Sequence, residues 1–222
     1  MCRELYSRHA HLACAAYLEA WEAVGLPTGR IPTLCELSDR VEPHTGFRFV
    51  PATEVQTPDV QLAELADGRF HTAPHLRPAG SDPVGAPDLI HDVIGHGVAL
   101  ADARIARLHR LTGTAVRRLE TTDGRDLVHR AFRATCEYGV VSEGPEVVCV
   151  GAALLSSPRA LAAFPRADVR PLDFRAVATL PHAGDAWPAV LFRAGSLDHL
   201  EQALGELLEA VDDDTPARLR AG

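Results

Sequence analysis

The chain has 222 residues, 46% hydrophobic and 23% charged, with a formal net charge of −8. That is the size and balance of one folded globular unit, and the acidic charge argues against a nucleic-acid or anionic-membrane binder. All 22 basic residues are arginine, which excludes lysine-dependent chemistry, whether a Schiff base or a phosphate-cradling P-loop.

Residues 5 to 24 read as one amphipathic helix, with Leu5, Leu12, Ala16 and Trp21 near helical spacing. The Pro- and Gly-rich stretch from Gly25 to Thr57 reads mostly as loop. Thr57-Pro58-Asp59 has the form of a helix start, with the stop expected at Gly68. Residues 69 to 86 read as a structured loop. A second start at Pro87-Asp88 opens the helical pattern Leu89, Ile90, Val93, Ile94, running to Gly95 or Gly97. Val98 to Leu111 continues as another helix, ended by Gly113. A turn is expected over 121–126, a helix from Leu127 to Val141, and a short helix from Ser157-Pro158 through Phe164. Ala189 to Phe192 reads as a hairpin strand. Ser196 caps a final helix through Val211, followed by a frayed tail. The expected class is mainly α (α+β), a single domain over 1–222.

The five cysteines, Cys2, Cys14, Cys35, Cys136 and Cys149, are odd in number and form no C-x-x-C pair. No apolar run is long enough to span a membrane, and the N-terminus lacks a signal-peptide plan. A cytoplasmic protein with reduced thiols is expected.

Chemistry concentrates in the histidines. His91 and His96 are five apart, not at the i, i+4 spacing of a zincin helix. On a regular helix their rings would diverge by roughly 140°. They converge only if the helix ends or widens between them, and Gly95 stands where it can. Glu137, in the apolar run Ala131 to Val141, is a candidate third ligand, because a carboxylate there is costly unless paired or metal-bound. Two imidazoles and one carboxylate form a facial triad suited to Fe(II). Spacing alone leaves other readings open. The histidines could be satisfied core residues, and Glu137 could pair with Arg133 one turn away. His71 and His75 are separated by Pro74 and read as loop residues, and His9 and His11 point to opposite faces.

Pro87-Asp88-Leu89-Ile90-His91-Asp92-Val93-Ile94-Gly95-His96 resembles the metal-binding segment P-D-x-x-H-[DE]-x-x-G-H-V-P of the tetrahydropterin-dependent aromatic amino acid hydroxylases. Glu137-Tyr138-Gly139 is similar to their E-F-G, and Gly151 to Ser157 to their G-A-G-L-L-S-S. Thr45-Gly46-Phe47 and Arg69 to Arg77 resemble T-G-F and R-x-F-H-x-T-Q-Y-I-R. The match runs in order over about residues 40–210. The resemblance implies a helical basket with a few short strands. It implies iron on His91, His96 and Glu137, a pterin near Asp92, and Arg77 and Ser156 on the substrate carboxylate. An arginine fork suits that last task. Tyr138 falls where it would line the substrate pocket. A trimmed catalytic domain of this kind is expected to be a monomer or small oligomer.

The departures touch both organic pockets. Gln61 stands where the family stacks a phenylalanine on the pterin, Val84 where a threonine helps hold the substrate, and Arg133 where a tryptophan lines the pocket. Gly97-Val98-Ala99 replaces V-P-L. An arginine there would suit a substrate with an extra anionic group. The leading expectation is an Fe(II) monooxygenase that uses dioxygen and a reduced pterin on an aromatic amino acid or a related aromatic. The alternatives are a pterin-independent iron oxygenase on a modified substrate, a non-catalytic metal or ligand binder, and a zinc hydrolase.

Overall fold

The computed structural model describes residues 2–27, 29–53, 57–76, 88–179 and 187–221. Arg77 and Val84 lie outside these residues, so the structure says nothing of either.

Two helices replace the expected single N-terminal one: α1 (Cys2–Leu12) and α2 (Ala15–Val24). The break falls at Ala13 and Cys14 because the chain is drawn to a sheet edge there. Ala13 bridges Cys149, and the Cys14 N–H donates to the Cys149 carbonyl at 3.0 Å. The stretch expected as loop holds α3 (Leu34–Thr45) and strand β1 (Arg48–Pro51). The cue for α3 is Thr33 with Glu36, a complete capping box. Helix α4 (Pro58–Glu64) starts as expected, with the Thr57 hydroxyl accepting from the Val60 N–H. A tighter turn, Leu65–Asp67, carries it to Gly68 at φ 70°. The next residues form strand β2 (Arg69–Thr72), paired in parallel with β1 rather than looped.

Helix α5 (Ala103–Arg118) runs straight through Gly113. Here glycine serves close approach: a Cβ would lie 2.3 Å from the Ala66 nitrogen and 2.8 Å from the Leu62 carbonyl oxygen. The helix is therefore pressed against α4 and the turn that follows it. Asp102 caps α5, accepting from the N–H groups of Arg104 at 2.9 Å and Ile105 at 3.3 Å. Burial works against its charge, but the Arg104 guanidinium and these amides hold the carboxyl below the usual carboxylate range. A carboxylate with a depressed folded pKa stabilises fully above its unfolded pKa of about 3.9 and loses that contribution as pH falls through the folded value. Asp102→Ala is expected to cost about 1 kcal/mol at neutral pH. Urea unfolding should show the gap from wild type closing as the pH drops below that range.

Helix α6 (Thr122–Phe132) begins where a turn was expected, with Thr121 as its cap. The helix expected to reach Val141 ends at Glu137, and Val140–Glu143 is strand β3. It forms a hairpin with β4 (Glu146–Cys149). Short helices α7 (Ala152–Leu155) and α8 (Pro158–Ala163) follow, then β5 (Val169–Pro171) and α9 (Phe174–Thr179). Strand β6 (Leu191–Ala194) is no hairpin arm. It lies parallel to both β3 and β5, giving the sheet order β4-β3-β6-β5. Helix α10 (Leu197–Ala210) carries the expected Ser196 cap. The tail is helical rather than frayed: α11 (Thr215–Ala221) buries Thr215 and Pro216. One apolar cluster joins these elements, from Leu5 to Val211. No described helix is long and apolar enough to cross a membrane.

Candidate metal centre

Two stretches of widened helix build the centre. The first, His91–Gly97, is π-helical. Its i→i+5 periodicity brings residues five apart onto one face, which is the widening the His91/His96 spacing requires. Asp88, fully buried, starts it by accepting the His91 N–H at 3.1 Å. The second stretch, Arg133–Glu137, closes with a Tyr138 N–H donating to the Arg133 carbonyl at 3.0 Å and delivers Glu137 from the end of α6.

One ligand atom from each of His91, His96 and Glu137 lies within 4.8 Å of the others. The Glu137 carboxylate sits 2.9 Å from His96 Nε2 and 3.4 Å from His91 Nε2. Both imidazoles are buried. Burial opposes the Glu137 charge, but His96 and then His91 hold its carboxyl down at about 2. Among the described residues, the partners of this carboxylate are those two rings. The alternative of an ion pair with Arg133 is not what the chain forms. A partly buried carboxylate between two imidazole nitrogens is a donor set that a divalent metal fits.

Neighbouring groups hold the rings in place. Ser156 Oγ is 3.1 Å from His91 Nδ1, and His109 Nε2 is 3.2 Å from His96 Nδ1. Phe132 stacks parallel to His96 at 6.0 Å, and Phe70 tilts over it at 4.8 Å. Only 5% of the chain is aromatic, yet Phe47, Phe49, Phe70 and Phe132 all gather here. Asp92 Oδ2 accepts the Ala73 N–H at 2.6 Å, pinning the segment after β2 to the centre. Burial pushes the Asp92 carboxyl up to about 7. Burial, reinforced by His96, brings His109 down to about 3.

A cavity of about 490 Å³ opens on the donor set. Gln61, Leu62, Phe70, His71, Asp92 and Phe132 are among its walls, with His91, His96 and Glu137. Gln61 and Asp92, the two residues expected on the cofactor side, both line this cavity. His71, read as a loop residue, is on β2, its Nε2 held 2.9 Å from Glu64. Ser156 is behind His91 rather than on the wall. Arg133 and Tyr138 are also off the described wall. The Arg133 guanidinium lies 4.8 Å over the Tyr138 ring, which packs edge-on to Trp187. Cys136, beside Glu137, is buried and its thiol pushed up to about 12, so it is an inert packing group. Sequence reasoning missed His109 and Phe132, while Asp88 starts the segment as its place in Pro87-Asp88 suggested. The signal for His109 was a histidine at helical spacing among the positions that α5 buries, Ile105, Leu108, Thr112 and Val116.

A helical domain that sets two imidazoles and a carboxylate beneath an open cavity has the architecture of a mononuclear non-haem iron oxidoreductase. The family model for biopterin-dependent aromatic amino acid hydroxylases matches residues 1–216, and the chain belongs to that family. It is 36% identical over 223 residues to a phenylalanine 3-hydroxylase of Streptomyces coeruleorubidus, covering the whole chain and 80% of that protein. It is 36% identical over 158 residues to a chloroplastic phenylalanine 4-monooxygenase of Physcomitrium patens, covering 69% of the chain but 38% of that protein. The fold is similar to Chromobacterium violaceum phenylalanine hydroxylase solved with iron(III) and 7,8-dihydrobiopterin. The TM-score there is 0.82 at 23% identity, over 92% of this chain and 77% of that one.

Proposed function

We propose that this enzyme hydroxylates the ring of phenylalanine at carbon 3, with dioxygen and a reduced pterin, at iron held by His91, His96 and Glu137. The observation that carries the reading is the convergence of these three side chains at the wall of one cavity. The ring position follows the full-length likeness to a phenylalanine 3-hydroxylase. Bound there, iron supplies the centre at which dioxygen is split, one atom entering the ring and the other leaving as water with two electrons from the pterin.

The chain's own residues orient and enclose. Phe70 and Phe132 give the cavity dry walls beside His96. Asp92 fixes the segment that carries Ala73. Gln61 offers the pterin an amide edge where relatives offer a ring face. Arg77 and Ser156 are assigned to the substrate carboxylate, Ser156 also steadying His91. Arg133 and Tyr138 act on the substrate side through their stacked pair. A cytoplasmic setting suits the free thiols Cys14, Cys35, Cys136 and Cys149.

The test is oxygen uptake and product analysis on the iron-loaded protein with phenylalanine, with and without tetrahydropterin. Pterin-dependent formation of 3-hydroxyphenylalanine is expected. Exclusive 4-hydroxylation would overturn the ring position, and no product under either condition would overturn the activity. Equal turnover without pterin would favour the pterin-independent oxygenase that Gln61 makes the second reading. Gln61→Phe restores an aromatic face worth about 0.5–1.5 kcal/mol. The KM for pterin should then fall by roughly 2- to 12-fold with kcat little changed.

A further inference from the structure

Helix α5 turns a histidine into the core. His109 is 1% exposed, its ring edge-on to Phe132 at 5.2 Å and to Phe47 at 6.3 Å. A ring so enclosed, with no carboxylate against it among its described contacts, is neutral and carries one N–H. The structure decides where that hydrogen goes. His109 Nδ1 is 2.8 Å from the Ile105 carbonyl oxygen, which can only accept. Nδ1 therefore holds the hydrogen, and His109 Nε2 is a bare lone pair. That lone pair faces His96 Nδ1 at 3.2 Å, so the hydrogen between the two rings belongs to His96. With its hydrogen on Nδ1, His96 turns the lone pair of Nε2 toward Glu137 Oε1 at 2.9 Å.

The opposite tautomer is blocked. In a neutral His96, a hydrogen on Nε2 in place of Nδ1 would set two lone pairs against each other between the rings, unless His109 gave up Ile105. Lone pairs facing across 2.9 Å are in turn reconciled by a cation between them. We propose that His109 is a positioning residue that locks His96 in the Nδ1–H tautomer, so that Nε2 is committed to the metal before the metal arrives. The proposal rests on reading His91, His96 and Glu137 as the ligand set. Partners of this kind around a ligating histidine are worth about 10- to 100-fold in metal affinity.

The tautomer is read directly from long-range ¹⁵N–¹H correlations of ¹⁵N-histidine-labelled, metal-free protein. Wild type is expected to show Nδ1–H on His96. His109→Phe keeps a ring of similar size and removes the acceptor, so His96 should pass to the Nε2–H form that donates to Glu137. His109→Gln returns an acceptor at the Nε2 position and should return the Nδ1–H form. Cobalt(II) titration should give an affinity at least about tenfold lower for His109→Phe, largely recovered in His109→Gln. An Nε2–H signal from His96 in wild type overturns the proposal without any variant. So does a His109→Phe protein that folds, keeps the Nδ1–H form and binds cobalt as wild type does. A wild-type chain that takes up no cobalt sinks the ligand set itself, while the metal-free spectra still decide for or against His109.

Discussion

Replacing Glu137 with alanine is expected to strip the protein of iron and lower hydroxylation by more than about a hundredfold, since merely losing a neighbour of a ligand costs 10- to 100-fold. Among the described donor atoms, Glu137 supplies the only negative charge against a divalent ion. His91 and His96 alone would leave both charges of that ion uncompensated in a buried setting, which is the costly arrangement. The fold should survive. The change removes a partly buried carboxylate and leaves behind rings still held by Ser156 and His109. The check is iron content after desalting, product formation and far-ultraviolet circular dichroism on the same preparation. A Glu137→Ala protein with one equivalent of iron and more than half the wild-type turnover would sink the ligand assignment.

Gly95→Ala is expected to destabilise by about 1–3 kcal/mol, the usual cost of overpacking a tight core, and to loosen the metal site as well. A Cβ on Gly95 would meet the Ala152 carbonyl oxygen at 2.7 Å and the Ala152 Cβ at 2.9 Å. Neither can swing aside as a flexible side chain does, so α7 has to move off the first widened helix. Ser156 ends α7 and lies 3.1 Å from His91, so that movement draws a ring support away from the centre. At this chain length each kcal/mol is worth about 2–4 °C in Tm, and thermal and urea unfolding should agree on the loss. Gly29→Ala is the control, because among the described residues no atom lies within 4 Å of a Cβ there. Equal effects at the two glycines would mean that close packing at Gly95 is not the cause.

Local chemistry accounts for what was legible. Thr57-Pro58, Ser157-Pro158 and Ser196 start helices because a hydroxyl and a preset proline act within four residues of themselves. The errors came from distant partners. The Ala13–Cys14 break needs the edge of β4, Gly113 needs α4 against it, and β6 needs β3 and β5 on either side. Parallel pairing joins segments far apart in the chain and leaves no turn residue to announce it. The capping box of Thr33 and Glu36 was readable but was masked by the surrounding prolines and glycines.

By itself the sequence supplied the chemical identities: His91, His96 and Glu137 as candidate donors, within motifs ordered as in the hydroxylase family, and Gln61 and Arg133 as residues that depart from those motifs. The tertiary structure alone decided their relation. Five residues of spacing bring two rings together only once the helix widens. Glu137 becomes a partner of those rings only when α6 delivers it beneath the cavity. Packing set the Arg133 guanidinium over the Tyr138 ring and brought His109 against His96. Residue types state which hydrogen bonds and coordination bonds are possible; packing selects among them, because a neutral imidazole has one hydrogen and the enclosed neighbours on either side dictate where it sits.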